Sequence, residues 1–126
     1  MNLTLLRRVA TAAAVVVFVG ILVLSVVGNP PPVGLRNADK YEHFLAYFVL
    51  GFALTLAVRS GTPARRARLL GLIALAGCVL YGCALEILQS VVGRECSILD
   101  ALADTTGSLL GWSAAYFVER AVSRTS

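Results

Sequence analysis

Charged side chains are scarce in this sequence: Asp, Glu, Lys and Arg together make up only 14% of its 126 residues. Soluble domains carry about 25% charged residues. Hydrophobic residues make up 58% of the chain, which excludes an ordinary soluble domain. The composition predicts a single all-α integral membrane domain over residues 1–126, with no room for a second, soluble domain.

Cysteine and histidine are scarce as well. The three cysteines, Cys78, Cys83 and Cys96, are odd in number and lack a paired spacing, which argues against a disulfide framework or a zinc site. Cys78 and Cys83 lie in a hydrophobic segment, where thiols behave as small apolar side chains. A nucleophilic Cys96 would need an activating base, and His43 is the only histidine.

Four hydrophobic segments have about the 20 residues that a helix needs to cross a bilayer. Arg7 and Arg8 precede the first, as in a signal peptide, but its length and the lack of a clean cleavage site favour an uncleaved anchor helix. Pro30, Pro31 and Pro32 follow it and favour an extended connection. The predicted spans are 9–27, 40–58, 69–92 and 98–118, with connections that include the arginine-rich segment 59–68.

The arginines predict the orientation of these spans. Each span moves the chain to the other side, so both termini and segment 59–68 share one side, with eight arginines, one acid and a net charge of +7. The other side has a net charge of −3. The positive-inside rule therefore places both termini in the cytoplasm. Since the arginines flank apolar segments, they are a topology signal and do not indicate nucleic-acid binding.

Polar residues of three different spans are predicted to meet at the outer side. Each ionisable group at the centre of a membrane helix costs about 2.5–3.5 kcal/mol on insertion scales, so such residues tend to mark function. We predict that they form a ligand-binding site for an outer-leaflet molecule. Its residues are Asp39, His43, Tyr47, Glu86, Gln89, Arg94, Asp100 and Asp104.

Structural roles are an alternative for several of these residues. Asp39 and Glu42 resemble a capping box, and Asp100 follows Ser97 as in a capped first turn, where the helix dipole favours an acid. Asp104 lies beyond capping range. His43 lies four residues after Asp39 on the same helix face, and a carboxylate can orient an imidazole.

Glu86 is difficult to explain as a structural residue, because a carboxylate near the end of a helix opposes the helix dipole. Gln89 shares its face, and Arg94 could pair with Glu86, Asp100 or Asp104. The same residues could instead hold the bundle together through internal ion pairs. The excess of acids suggests a bound cation, protonated carboxylates or a cationic ligand group. A divalent metal held by His43, Glu86 and Asp104 is one possibility.

Small residues predict close helix packing. Gly107 and Gly111 form a GxxxG step on the fourth span, and Gly77 and Gly82 lie on the third. Small side chains of this kind let helix backbones approach closely in a membrane.

Segment 39–51, read as DKYEHFLAYFVLG, resembles the VanZ-like family, as do Glu86-x-x-Gln89, Arg94, Asp100 and Gly107. The chain has Asp104 where the family usually has Asn. The resemblance extends to about Trp112. It implies a small multi-pass protein of the bacterial cytoplasmic membrane, and the family's namesake is associated with low-level resistance to teicoplanin, a lipoglycopeptide.

Three kinds of function remain open at this point. The first is binding of an envelope lipid, wall precursor or lipoglycopeptide. The second is an enzyme that uses His43 as base or metal ligand and Glu86 or Asp104 as acid on an envelope lipid, with Arg94 holding an anionic group. An ion-coupled transporter is less well supported, because Thr55 and Ser113 are the only polar side chains well inside the cytoplasmic half of spans two to four. The oligomeric state is not predicted.

Overall fold

The computed structural model describes residues 2–27, 38–93 and 97–125, and for residues 38, 39 and 123–125 it describes the backbone alone. Within these ranges the chain forms four α-helices and no strand, as predicted for an all-α protein. The helices are α1 (Leu3–Val27), α2 (Ala38–Arg59), α3 (Ala64–Val91) and α4 (Ile98–Thr125).

The helices extend beyond the predicted apolar spans. The Asn2 side chain accepts a hydrogen bond from the Thr4 amide at 2.9 Å, so α1 begins well before residue 9. The prediction that 59–68 is a connection is wrong for 64–68, because α3 begins directly after Pro63. Arginine is a good helix former, so these residues continue a helix into the polar region.

α2 is the central helix and contacts the other three, most extensively α4. Buried residues from three helices meet near the start of α1 and the end of α2: Ala10, Leu56 and Ala115. A second cluster, formed by Tyr47, Leu50 and Cys78, packs against the later half of α1. α1 and α3 therefore run antiparallel to α2, and α4 runs parallel to it.

Glycines allow the close contact between α2 and α4. A β-carbon at Gly51 would lie 2.7 Å from the carbonyl oxygen of Ser108. β-carbons at Gly107 and Gly111 would overlap the carbonyl oxygens of Phe44 and Phe48. The predicted role of the GxxxG step is therefore confirmed. The expectation of close packing is wrong for Gly77, since no atom of the described residues lies within 4 Å of a β-carbon placed there.

The two ends of the bundle differ in charge. We call the end that carries Lys40, His43, Glu86, Asp100 and Asp104 the acidic end. The opposite end, with Arg59, Arg68, Glu119 and Arg120, is the arginine end. The structure thus brings ionisable residues of three helices to one end, as the alternation of spans predicts.

Arg59 joins three helices at the arginine end. It is 5% exposed, and its guanidinium donates hydrogen bonds to Glu119 of α4 at 3.0 Å and to the Ala67 carbonyl of α3 at 3.2 Å. Its guanidinium carbon also lies 4.6 Å from the centre of the Tyr116 ring. This contact is a cation–π interaction, which adds to the ion pair.

Three of the helices are long and apolar enough to cross a membrane: Leu3–Val27, Lys40–Arg59 and Ala64–Val91. α4 is long enough, with 28 residues, but it carries polar residues along much of its length. The most buried of these are Asp100, Asp104 and Ser108, which are 6%, 2% and 0% exposed. Its polarity is therefore directed toward the other helices.

Candidate functional site

The acidic end is built by the first two turns of α2, the last two turns of α3 and the first two turns of α4. His43 comes from α2, Glu86 and Gln89 from α3, and Asp100 and Asp104 from α4. Glu86, Gln89, Asp100 and Asp104 are all buried, with at most 6% exposed. The structure therefore places these five predicted residues at one end and buries all of them except the partly exposed His43.

His43 and Asp104 form the central contact of the site. Nδ1 of His43 lies 2.9 Å from a carboxylate oxygen of Asp104, and their side chains are 20% and 3% exposed. A carboxylate at one ring nitrogen orients an imidazole and supports its use in proton transfer or as a metal ligand. Sequence reasoning paired His43 with Asp39, whose side chain lies outside the described residues.

Glu86 contacts the start of α4 through its carboxylate. The backbone amide of Ser97, the residue directly before α4, donates a hydrogen bond to Glu86 at 3.0 Å. The helix dipole at the start of α4 favours this negative charge, although the end of α3 opposes it. Glu86 thereby joins α3 to α4, which is the kind of structural role that the sequence left open.

Asp100 belongs to two groups of residues. A carboxylate oxygen of Asp100 lies 3.8 Å from the ammonium of Lys40, in a partly exposed ion pair. Possible ligand atoms of Asp100, His43 and Glu86 also lie within 4.8 Å of one another, close enough to surround one metal ion. The aspartate in this triad is Asp100, whereas the sequence prediction named Asp104, which contacts Nδ1 of His43.

An imidazole and two carboxylates suit a borderline or hard divalent cation. The described charged groups of the site are three carboxylates, one ammonium and one imidazole, so acid is in excess. This end can therefore attract a cation, an amine-bearing ligand group or a proton.

Tyr47 lies one turn below His43 and is 1% exposed. Its hydroxyl has no hydrogen-bond partner among the described residues, which is costly for a buried polar group. Gly82 of α3 makes room for this arrangement, since a β-carbon there would lie 3.1 Å from an Asp104 oxygen and 3.4 Å from the Tyr47 ring. Tyr47 is thus part of the floor of the site.

Two predicted members cannot be placed in this geometry. Arg94 and the Asp39 side chain lie outside the described residues, so their predicted pairings stay predictions. Gln89 is buried on α3, one turn after Glu86.

Sequence reasoning missed three contributors to the site. Lys40 lies three residues before His43, a spacing that could have placed it beside the cluster. Gly82 could be recognised only as a candidate for close packing. The Ser97 amide carried no signal, because every residue except proline has a backbone amide.

Comparison with known proteins gives a family match. No curated protein and no solved structure matches the chain. A family model described as VanZ/LLP1 matches residues 1–119, which include all four helices apart from the last turns of α4. This match covers the acidic end and all of the arginine end except Arg120, and on its strength the chain belongs to the VanZ/LLP1 family.

Proposed function

We propose that this protein crosses the bacterial cytoplasmic membrane four times, with both termini in the cytoplasm and the acidic end facing outward. The charge difference of +7 against −3 between the two sides supports this orientation. A reporter that is active only in the cytoplasm should be active when it is fused to the C terminus. The same reporter placed between α1 and α2 should be inactive, and the opposite result would reverse the orientation.

The outward surface of α4 supports the fourth span. Leu99, Leu102 and Phe117 are 58%, 56% and 69% exposed, so an apolar face points away from the bundle. The hydroxyls of Thr105, Thr106 and Ser113 donate to carbonyls four residues earlier, at 2.7–2.8 Å. These bonds satisfy polar groups that lipid could not satisfy.

The proposed function is recognition of an envelope ligand at the outer leaflet by the acidic end. One observation carries this proposal: three helices bury a His43–Asp104 pair beside Glu86 and Asp100. The ligand classes are a lipid headgroup, a wall precursor or a lipoglycopeptide of the teicoplanin type. Because carboxylates are in excess, we expect the recognised group to carry positive charge or a bound divalent cation.

The first test is teicoplanin susceptibility of a Gram-positive host that expresses wild type, Glu86→Gln or Glu42→Gln at equal membrane levels. Glu42 is the matched control, because it is an exposed glutamate of the same end. We expect wild type and Glu42→Gln to protect and Glu86→Gln to fail. Equal susceptibility with and without the protein would remove lipoglycopeptides from the ligand classes.

Lipid binding is the second arm of this test. Lipids that copurify with wild type and Glu42→Gln, and that Glu86→Gln loses, would identify the ligand by mass spectrometry. If all three proteins carried the same lipids and none changed susceptibility, ligand recognition by the acidic end would be contradicted.

The second candidate function is catalysis on an envelope lipid. The observation that favours it is the His43–Asp104 contact at 2.9 Å, since a carboxylate-oriented imidazole is a common general base. Glu86 or Asp104 would serve as acid. This function requires a lipid modification that disappears in both His43→Ala and Glu86→Gln, and unchanged lipid profiles would exclude it.

The metal content of the purified protein distinguishes a metal-dependent site from a metal-independent one in both hypotheses. If the triad of His43, Glu86 and Asp100 holds a divalent cation, purified wild type retains about one ion per chain and Glu86→Ala does not. Wild type that remains functional in chelator would exclude the metal.

A further inference from the structure

The arginine end contains a cleft of about 480 Å³ between the end of α2, the start of α3 and the end of α4. Its charged lining residues are Arg59, Arg68, Glu119 and Arg120. Among the described lining residues, three guanidinium groups face one carboxylate, so two positive charges have no acid there to balance them. The cleft lies at the opposite end of the bundle from the acidic end, so it does not depend on the proposed function.

The start of α3 adds to this positive charge. Ala64, the first residue of α3, lines the cleft, and the preceding residue is Pro63, which gives no side-chain cap. The first turn of α3 has no acid and instead carries Arg65 and Arg66. The start of a helix has amides without internal partners and a positive dipole end, so cations there are unfavourable and an anion is favoured.

Arg59 adds a buried positive charge to the wall of the cleft. This arginine lines the cleft, and its residue is 5% exposed. Two of its nitrogens donate to Glu119 and to Ala67, but Nε is buried and has no hydrogen-bond partner among the described residues. A buried guanidinium nitrogen without an acceptor is costly. Glu119 compensates for one positive charge at this position, and Arg68 and Arg120 remain exposed beside it.

From these observations we propose that the cleft binds an anionic phosphate group, carried by a phospholipid of the adjacent leaflet or by a soluble phosphate ester. The hydrogen-bond donors to the phosphate are Arg68, Arg120 and the first backbone amides of α3. Arg59 joins α2 to α4 at the wall of the cleft. Basic pockets between membrane helices commonly hold acidic headgroups. Helix N-termini commonly hold phosphate.

The test uses the full chain purified in a neutral detergent and three probes: dioleoyl-phosphatidylglycerol, dioleoyl-phosphatidylcholine and glycerol 3-phosphate. Native mass spectrometry measures the bound lipid. We expect at least tenfold preference for phosphatidylglycerol, whose phosphate charge is not cancelled by an amine. Displacement of that lipid by glycerol 3-phosphate would assign the cleft to soluble phosphate esters as well, and failure to displace it would assign the cleft to lipid.

A double variant and a matched control test the location. Arg68→Gln combined with Arg120→Gln should weaken phosphatidylglycerol binding on the order of 30-fold, since each basic residue near a lipid surface contributes about one factor of five. Arg7→Gln combined with Arg8→Gln removes two exposed arginines from the same end but outside the cleft, and should leave binding unchanged. Equal loss in both pairs, or equal binding of the two lipids, would overturn the proposal.

Ala64→Glu tests the cleft with a variant that should bind phosphate less well and yet be more stable than its control, Ala64→Gln. The new carboxylate would supply the missing acid at the start of α3, so the Tm should rise by about 2–5 °C relative to Ala64→Gln. The same carboxylate would compete with the phosphate, so phosphatidylglycerol binding should fall at least tenfold. Binding equal to that of Ala64→Gln would contradict the proposed site.

Discussion

The same two helices, α2 and α4, are joined near both ends by a base and an acid. At the arginine end Arg59 pairs with Glu119 at 3.0 Å, and at the acidic end His43 pairs with Asp104 at 2.9 Å. His43 and Arg59 are separated by 16 residues of one helix, which is about 24 Å and close to the thickness of the hydrocarbon core.

The two pairs differ in how fixed their charge is. Arginine stays charged in proteins, and Arg59 also contacts Ala67 and the Tyr116 ring, so its position is determined by three helices. Histidine changes charge near neutral pH, and His43 lies among further carboxylates. The comparison indicates that the arginine pair fixes the bundle with a permanent charge, whereas the histidine pair joins the same helices through a side chain whose charge is not permanent.

The largest effect should come from breaking the arginine pair. Arg59→Met removes the ion pair with Glu119, the hydrogen bond to Ala67 and the contact with the Tyr116 ring, so the free energy of unfolding should fall by about 3–5 kcal/mol. Thermal unfolding in detergent measures this loss. The double variant Arg59→Met with Glu119→Leu should recover most of it, and a double variant as unstable as the single one would show that the ion pair is not the cause.

The second largest loss of stability should come from disturbing the close contact between α2 and α4. Gly111→Ala forces a methyl group against the backbone of α2 at Phe48 and should lower the free energy of unfolding by about 1–3 kcal/mol. Gly77→Ala is the matched control, because its β-carbon meets open space and alanine favours the helix by up to about 1 kcal/mol. If both variants were equally stable, α2 and α4 would not be held at this distance.

A smaller effect is expected from Asp104→Asn. This variant introduces the Asn that the VanZ-like motif usually has at this position. The amide oxygen can still accept a hydrogen bond from Nδ1 of His43, so the loss of unfolding free energy should be about 1 kcal/mol. Chemical denaturation in detergent measures this value. A loss as large as that of Arg59→Met would remove the distinction between the two pairs.

The smallest effect should come from Lys40→Gln. The Lys40–Asp100 pair is 3.8 Å long, and the lysine side chain is 33% exposed, so solvent screens it. Such pairs contribute about 0–1 kcal/mol. Unfolding free energies of wild type and variant should agree within this range, and a larger loss would show that Lys40 supports the acidic end more than its exposure indicates.

The sequence predicted the elements that follow from periodicity and charge. Four helices, the close packing at Gly107 and the grouping of His43 with Asp104 were accessible, because helix length, small residues and span alternation determine them. The buried cluster also accounts for the polarity of α4, the least apolar helix: Asp100 and Asp104 are buried and pair with Lys40 and His43 of α2.

Other features depend on contacts that no pattern in the sequence specifies. The Arg59–Glu119 pair was not predicted, because the sequence pattern assigned Arg59 to a connection and Glu119 to the C-terminal tail. The contact of Glu86 with the Ser97 amide depends on how α3 turns into α4, and so does the choice of Asp100 over Asp104 in the triad. The arginines at 65, 66 and 68 were assigned to a connection, although their helix propensity allows α3 to begin before them.

The inward polarity of α4 has a consequence for how the chain is made. In the proposed four-span arrangement, α4 would have to enter the membrane with Asp100 and Asp104 exposed to lipid if it inserted alone, and each acid carries a substantial cost there. His43 and Lys40, which compensate these acids, belong to α2, which the ribosome completes earlier. We therefore expect α4 to leave the translocon only against an already inserted α2, so that insertion and tertiary assembly are one step for this helix.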